Sequence, residues 1–115
     1  LCHHDKELKE NYMSFIQIIN FKSDRIDEIE QMRGDWINRS AGDRSAIELH
    51  IGQNRDVENA FTAVVLFPSY EEAMENSSLP ATQEFAAKMT KLCLEPPQYV
   101  NLDVIEAESF LNRKG

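Results

Sequence analysis

The chain has 115 residues, of which 42% are apolar and 28% charged, and a formal net charge of −8. That length supports one hydrophobic core rather than two, and the composition is that of a globular chain, not a disordered tail. No apolar run approaches the roughly 18 residues of a membrane span, and a net negative charge with 12 scattered basic residues disfavours nucleic-acid binding.

The two cysteines, Cys2 and Cys93, form neither a disulfide framework nor a C-x-x-C pair. Such usage suits a reducing compartment, so a cytoplasmic location is expected. No signal-peptide pattern is visible, although a start at Leu1 leaves a processed or trimmed terminus open. Asn38-Arg39-Ser40 and Asn76-Ser77-Ser78 match the glycosylation triplet and are read as chance matches.

Residues 1–12, LCHHDKELKENY, are polar and expected to form a flexible or helical arm before a single domain spanning 13–115. Cys2-His3-His4-Asp5 is rich in metal-binding side chains, but consecutive residues do not easily converge on one ion, so no metal site is expected. Met13 to Phe21 carries Ile16, Ile18 and Ile19 and reads as a strand with little exposed surface. Ser23 or Asp24 is then placed to cap a helix, with Asp27 and Glu28 favoured in its first turn. Ile26, Ile29, Met32, Arg33, Trp36 and Ile37 fall at helical spacing, and Gly42 marks a stop.

Ser45 to Gln53 returns to period two, with Ile47, Leu49 and Ile51 on one face and Ala46, Glu48 and His50 on the other. The turn-rich GQNRDVEN leads to Phe61–Phe67, the most apolar strand, so an antiparallel pair is expected. In FPSYEEAMENSSLPATQEFAAKM, Pro68 helps end the strand, while Ser69 and Glu72 have the spacing of a capping box. Tyr70, Ala73 and Met74 give a short helix one apolar face, and Asn76-Ser77-Ser78 interrupts it. Pro80 then opens a longer helix with a Phe85, Met89, Leu92 stripe. EPP stops that helix, and Tyr99–Glu106 alternates as a last strand.

The order is β-α-β-β-α-β with one extra short helix. This is the ferredoxin-like α+β arrangement, an antiparallel sheet with its helices on one face. Strands one and three should be central. Ile47, Leu49 and Ile51, with Val100, Leu102 and Val104, are expected to face the helices. Ala46, Glu48, His50, Tyr99, Asn101, Asp103 and Ile105 would then lie on the open face. The central strands are apolar on both parities, so either orientation leaves a large apolar patch. A homodimer formed through the sheet faces is the expected cover.

AFTAVVLF followed by FPSYEEAMENSSLPATQEFAAKM and a final strand resembles the dimeric α+β-barrel superfamily, in particular the antibiotic-biosynthesis-monooxygenase-like proteins. The resemblance covers about Met13 to Glu106 and rests on element order and one loose motif. It implies a homodimer with facing sheets and a cavity between sheet and helices in each subunit. It also implies functions ranging from cofactor-free oxidation of quinols to haem degradation. The haem enzymes of that group carry an iron-ligating histidine on the second long helix. Leu79–Leu94 contains none, so neither haem nor another cofactor is expected.

Glu48 and His50 are spaced so that both side chains share a strand face, where a carboxylate could orient an imidazole as general base. Such a base could deprotonate a phenol or quinol that then reacts with oxygen. The competing reading is a solvated edge-strand pair. Arg33 and Trp36 are placed to border a cavity and hold an anionic or aromatic ligand, with Tyr99 and Asn101 as further polar contacts. Cys93, at a helix end, is expected to pack rather than react. Two functions follow. One is a small-molecule-binding dimer that oxidises an aromatic or quinol-like substrate without a cofactor; the other is a non-catalytic ligand-binding or structural dimer.

Overall fold

The computed structural model describes residues 14–110. The N-terminal arm with Cys2-His3-His4-Asp5 lies outside them. The elements run β1 (Phe15–Lys22), α1 (Ile26–Arg39), β2 (Glu48–Gln53), β3 (Ala60–Phe67), α2 (Tyr70–Ser77), α3 (Pro80–Leu92) and β4 (Gln98–Asp103). The sheet is antiparallel in the order β2-β3-β1-β4. β1 and β3 are therefore central, as their apolar content implies.

The register decides which parity meets the helices. Phe15 pairs with Phe67, Gln17 with Val65, Ile19 with Ala63 and Phe21 with Phe61. All four phenylalanines are buried. Since strand side chains alternate across the sheet, odd-numbered residues of β1 and β3 face the helices. Ile16, Ile18, Val64 and Leu66 face the other way. On β2, Leu49 and Ile51 join the helix side, while Glu48 and His50 lie opposite Leu66 and Val64 on the open side.

β4 departs from the sequence-based expectation. Tyr99 pairs with Ile19, Asn101 with Gln17 and Asp103 with Phe15, which puts all three on the helix side. Val100 and Leu102 pair with Ile18 and Ile16 on the open side. The physical reason is coverage. Every β4 residue is exposed, so the helices do not shield this edge and its polar set faces water on their side. Its apolar set instead extends the open face.

Local details agree in part. Ser69 Oγ accepts the amide of Glu72 at 3.1 Å and caps α2, and Pro80 occupies the first turn of α3. α1, however, starts after Arg25 without a side-chain cap. Ser23 is used differently: its hydroxyl accepts from Arg25 N at 2.9 Å and donates to Leu92 O at 2.7 Å, tying the start of α1 to the end of α3. α1 also ends at Arg39, before Gly42, with Ser40 N and Oγ both bonded to Trp36 O. Gly42 serves the following turn, at φ 90°. Asn76, from one of the glycosylation triplets, is buried and accepts from Ser45 N at 3.2 Å.

Two hydrophobic clusters hold the layers together. Phe15, Val65, Phe67 and Ala73 form one, under α2. Phe21, Ile29, Phe61 and Met89 form the other, between the sheet and the α1–α3 pair. Phe21 and Phe61 stack at 5.5 Å, and each such buried side chain stabilises by roughly 1.5–3 kcal/mol.

On the surface, Glu84 of α3 accepts from Arg39 at 3.0 Å and Lys88 at 2.8 Å. These partners hold its carboxyl at about 2, below the ordinary 4.5. A depressed folded value means stability present above pH 4.5 and lost as pH falls through about 2. The effect is small because the pair is exposed and screened by salt. Glu84→Gln is expected to lower the Tm slightly at pH 7, with the gap to wild type closing towards pH 2 and in 1 M salt. Thermal denaturation across that range checks it, and a constant gap would contradict it.

Candidate active site cavity

Between the two clusters the helix-side layer lacks bulk. The middle of β1 offers Gln17 and Ile19, and the facing positions of β3 are Val65 and Ala63. Phenylalanines stand at both ends, so α1, α2 and α3 are held off the sheet centre. The result is a cavity of about 240 Å³. Its floor is Gln17, Ile19, Phe21, Ala63, Val65 and Phe67, with Leu49 and Tyr99 from the edge strands. Its roof is Arg33 and Trp36 of α1, Asn76 and Ser77 of α2, and Thr82, Gln83, Phe85, Ala86 and Met89 of α3.

Trp36 is held in place from several sides. Its Nε1 donates to Thr82 Oγ1 at 2.8 Å, its ring lies 6.4 Å from Phe85, and the Arg44 guanidinium sits 5.5 Å from its centroid. Arg33 is only 6% exposed. Its Nη1 pairs with Glu30 one turn earlier, and its guanidinium lies 5.8 Å from the Phe85 ring. Tyr99 is half exposed and borders the cavity. Burial, with a smaller contribution from Cys93, pushes its phenol up, so it is protonated at neutral pH and available as a donor. Burial likewise raises the Cys93 thiol, which disfavours the reactive thiolate.

Of the residues singled out from sequence, Arg33, Trp36 and Tyr99 meet at this cavity. Asn101 stands one position back, its Oδ1 accepting from Gln17 Nε2 at 3.1 Å. Glu48 and His50 do not join them. His50 Nε2 lies 2.9 Å from Glu48 Oε1, and both side chains are exposed on the open side of the sheet. Gln17, Asn76 and Thr82 were not anticipated. Thr82 is one turn before Phe85 on the buried side of α3, which is a usable sequence signal; Gln17 and Asn76 carry none. Among the described residues, no three His, Cys, Asp or Glu side chains come together to hold a metal ion.

No protein-family model and no curated protein sequence matches the chain. Solved structures do. A candidate antibiotic biosynthesis monooxygenase from Caulobacter crescentus superposes with a TM-score of 0.69 at 16% identity, over 90% of this chain and 100% of its own. A conserved protein from Methanosarcina mazei gives 0.70 at 8% identity, over 85% and 98%. A variant of SnoaB, described as a cofactor-independent oxygenase from Streptomyces nogalater, gives 0.66 at 14% identity, over 87% and 99%. The chain thus has the ferredoxin-like α+β fold of the antibiotic-biosynthesis-monooxygenase-like proteins. At these identities the likeness is one of fold.

Because the cavity arises from small side chains on β3, enlarging one should fill it. Ala63→Met adds bulk where a packed core would resist by about 1–3 kcal/mol. Here the Tm is expected to hold or rise, which differential scanning fluorimetry tests. A strong loss of Tm would mean that Ala63 is already close-packed.

Proposed function

We propose that this protein binds a small, mainly apolar or aromatic molecule in the cavity between sheet and helices, and works as a homodimer joined through its open sheet faces. The observation that carries the binding reading is the cavity itself: aromatic walls, few polar groups, and a position set by the fold rather than by a loop. Its volume limits the guest. A cavity of about 150 Å³ accepts benzene, so 240 Å³ suits one ring with substituents or a compact pair of rings.

The dimer reading rests on the open face. Ile16, Ile18, Val64, Leu66, Val100 and Leu102 lie together there, and a contiguous apolar patch of that kind is a usual mark of an interface. A second copy presents the same patch, which permits a symmetric pairing.

Oxidation of the bound molecule is the catalytic form of this reading, supported by the fold shared with SnoaB, itself described as a cofactor-independent oxygenase. In such chemistry the substrate supplies the electrons that reduce oxygen. The cavity's contribution would be to hold an electron-rich ring, exclude water and offer the Tyr99 hydroxyl as a proton donor. His50 faces away from this cavity. A role for it as base therefore requires substrate between the two sheets, and within one subunit the pair with Glu48 is better suited to the dimer rim.

Native mass spectrometry of protein purified without added ligand is expected to show a dimer, and Val64→Asp at the centre of the open face a monomer. A wild-type monomer would remove the sheet-to-sheet reading. Oxygen uptake with a quinol panel tests turnover. Uptake that survives His50→Ala but falls with Trp36→Ala is the expected pattern for catalysis in the cavity. Loss with His50→Ala would move the chemistry to the sheet interface. Binding without uptake would support the non-catalytic ligand-binding role.

A further inference from the structure

Among the described residues, Arg33 is the only charged one on the cavity wall, and it is buried on an otherwise apolar helix face beside Ile29 and Trp36. A guanidinium has five N–H donors and is always charged. Among the described residues its one ion pair is with Glu30, hydrogen-bonded through Nη1, and that carboxylate is 49% exposed. Among the described residues, no fully enclosed side-chain nitrogen or oxygen lacks a hydrogen-bond partner. The remaining guanidinium donors therefore open onto accessible space, and the cavity that Arg33 lines is such a space. Burying a cation costs stability unless it is matched by an acceptor, and Glu30 matches only one edge of the fork.

We propose that the cavity selects aromatic carboxylates, with the ring held against Trp36, Phe85 and Met89 and the carboxylate received by the free edge of Arg33. This inference rests on the cavity being the ligand site. Three observations carry it. Among the described residues the wall contains a cation and no anion; the nearby Glu30 carboxylate is half exposed, so water screens its repulsion of a second carboxylate. The guanidinium plane is steadied by Phe85, which presents a preformed fork of the geometry that carboxylates accept in pairs. The volume, finally, admits one substituted ring or a compact fused pair. The overall charge of −8 opposes an anion at long range, but salt screens it beyond roughly 8 Å. Recognition is thus left to the local fork.

The test compares benzoate and 1-naphthoate with their neutral amides, benzamide and 1-naphthamide, by isothermal titration calorimetry on the wild-type dimer or whatever assembly it forms. At least one acid should bind ten times or more tightly than its amide. Arg33→Lys keeps the charge but loses the fork, and Arg33→Met keeps most of the packing. Both should remove that preference, with amide binding little changed. Equal binding of acid and amide, or tighter amide binding, overturns the carboxylate selection while leaving the cavity as a ligand site. Failure of all four compounds to bind the wild type overturns this inference, and Trp36 fluorescence with a wider neutral panel then decides whether the cavity reading falls with it. The wild-type comparison needs no variant to fold, so the proposal stays exposed even if Arg33→Met does not.

Discussion

The structure depends on the register between β1 and β3. Pairing Phe15 with Phe67 and Phe21 with Phe61 puts four large rings on one side of the sheet and at its two ends. A slip of one residue would turn Ile16, Ile18, Val64 and Leu66 inward and push the rings out. Everything else follows from that choice. The helices settle on the phenylalanine side, the smaller residues between the rings leave a gap, and the aliphatic set is left without a cover in the single chain.

The gap and the open face are two results of one constraint. The sheet is apolar on both sides, and in the single chain the helices cover only one of them. On the helix side, Ala63 and Gln17 occupy positions where larger apolar residues would have closed the core. Close packing is the rule in protein interiors. The void there is bordered by a buried arginine and a hydrogen-bonded tryptophan. The polar groups around it are tied into the fold: Trp36 to Thr82, Asn76 to Ser45, Gln17 to Asn101. Arg33 is held less completely, its partner Glu30 reaching it from one side only.

Much of the architecture was legible in the chain because period and punctuation agree. Apolar runs in β1 and β3, period two in β2 and β4, helical spacing from Ile26 to Trp36, and the Ser69 and Pro80 starts all point to the same element order. The orientation of β4 was not legible. Its alternation separates Val100 and Leu102 from Tyr99 and Asn101 but does not say which set meets the helices. Only the pairing of Tyr99 with Ile19 decides that. The cavity was legible by its border and not by its cause. Arg33 and Trp36 stood out as unusual side chains, whereas a deficit of volume at Ala63 looks like any alanine in an apolar strand. Glu48 and His50 drew attention through chemistry alone, and their spacing carries no information about which face holds the cavity.

We propose the helix-side cavity as the ligand site. The most direct measurement is residue-resolved NMR on isotope-labelled protein titrated with an aromatic compound that binds. Chemical-shift changes concentrated at the Trp36 indole, Phe85, Ala86 and Met89, with Ala63 on the floor, are the result this account predicts. Changes centred instead on Glu48, His50, Val64 and Val100, with the cavity walls unmoved, would contradict it and place the ligand on the open face of the sheet.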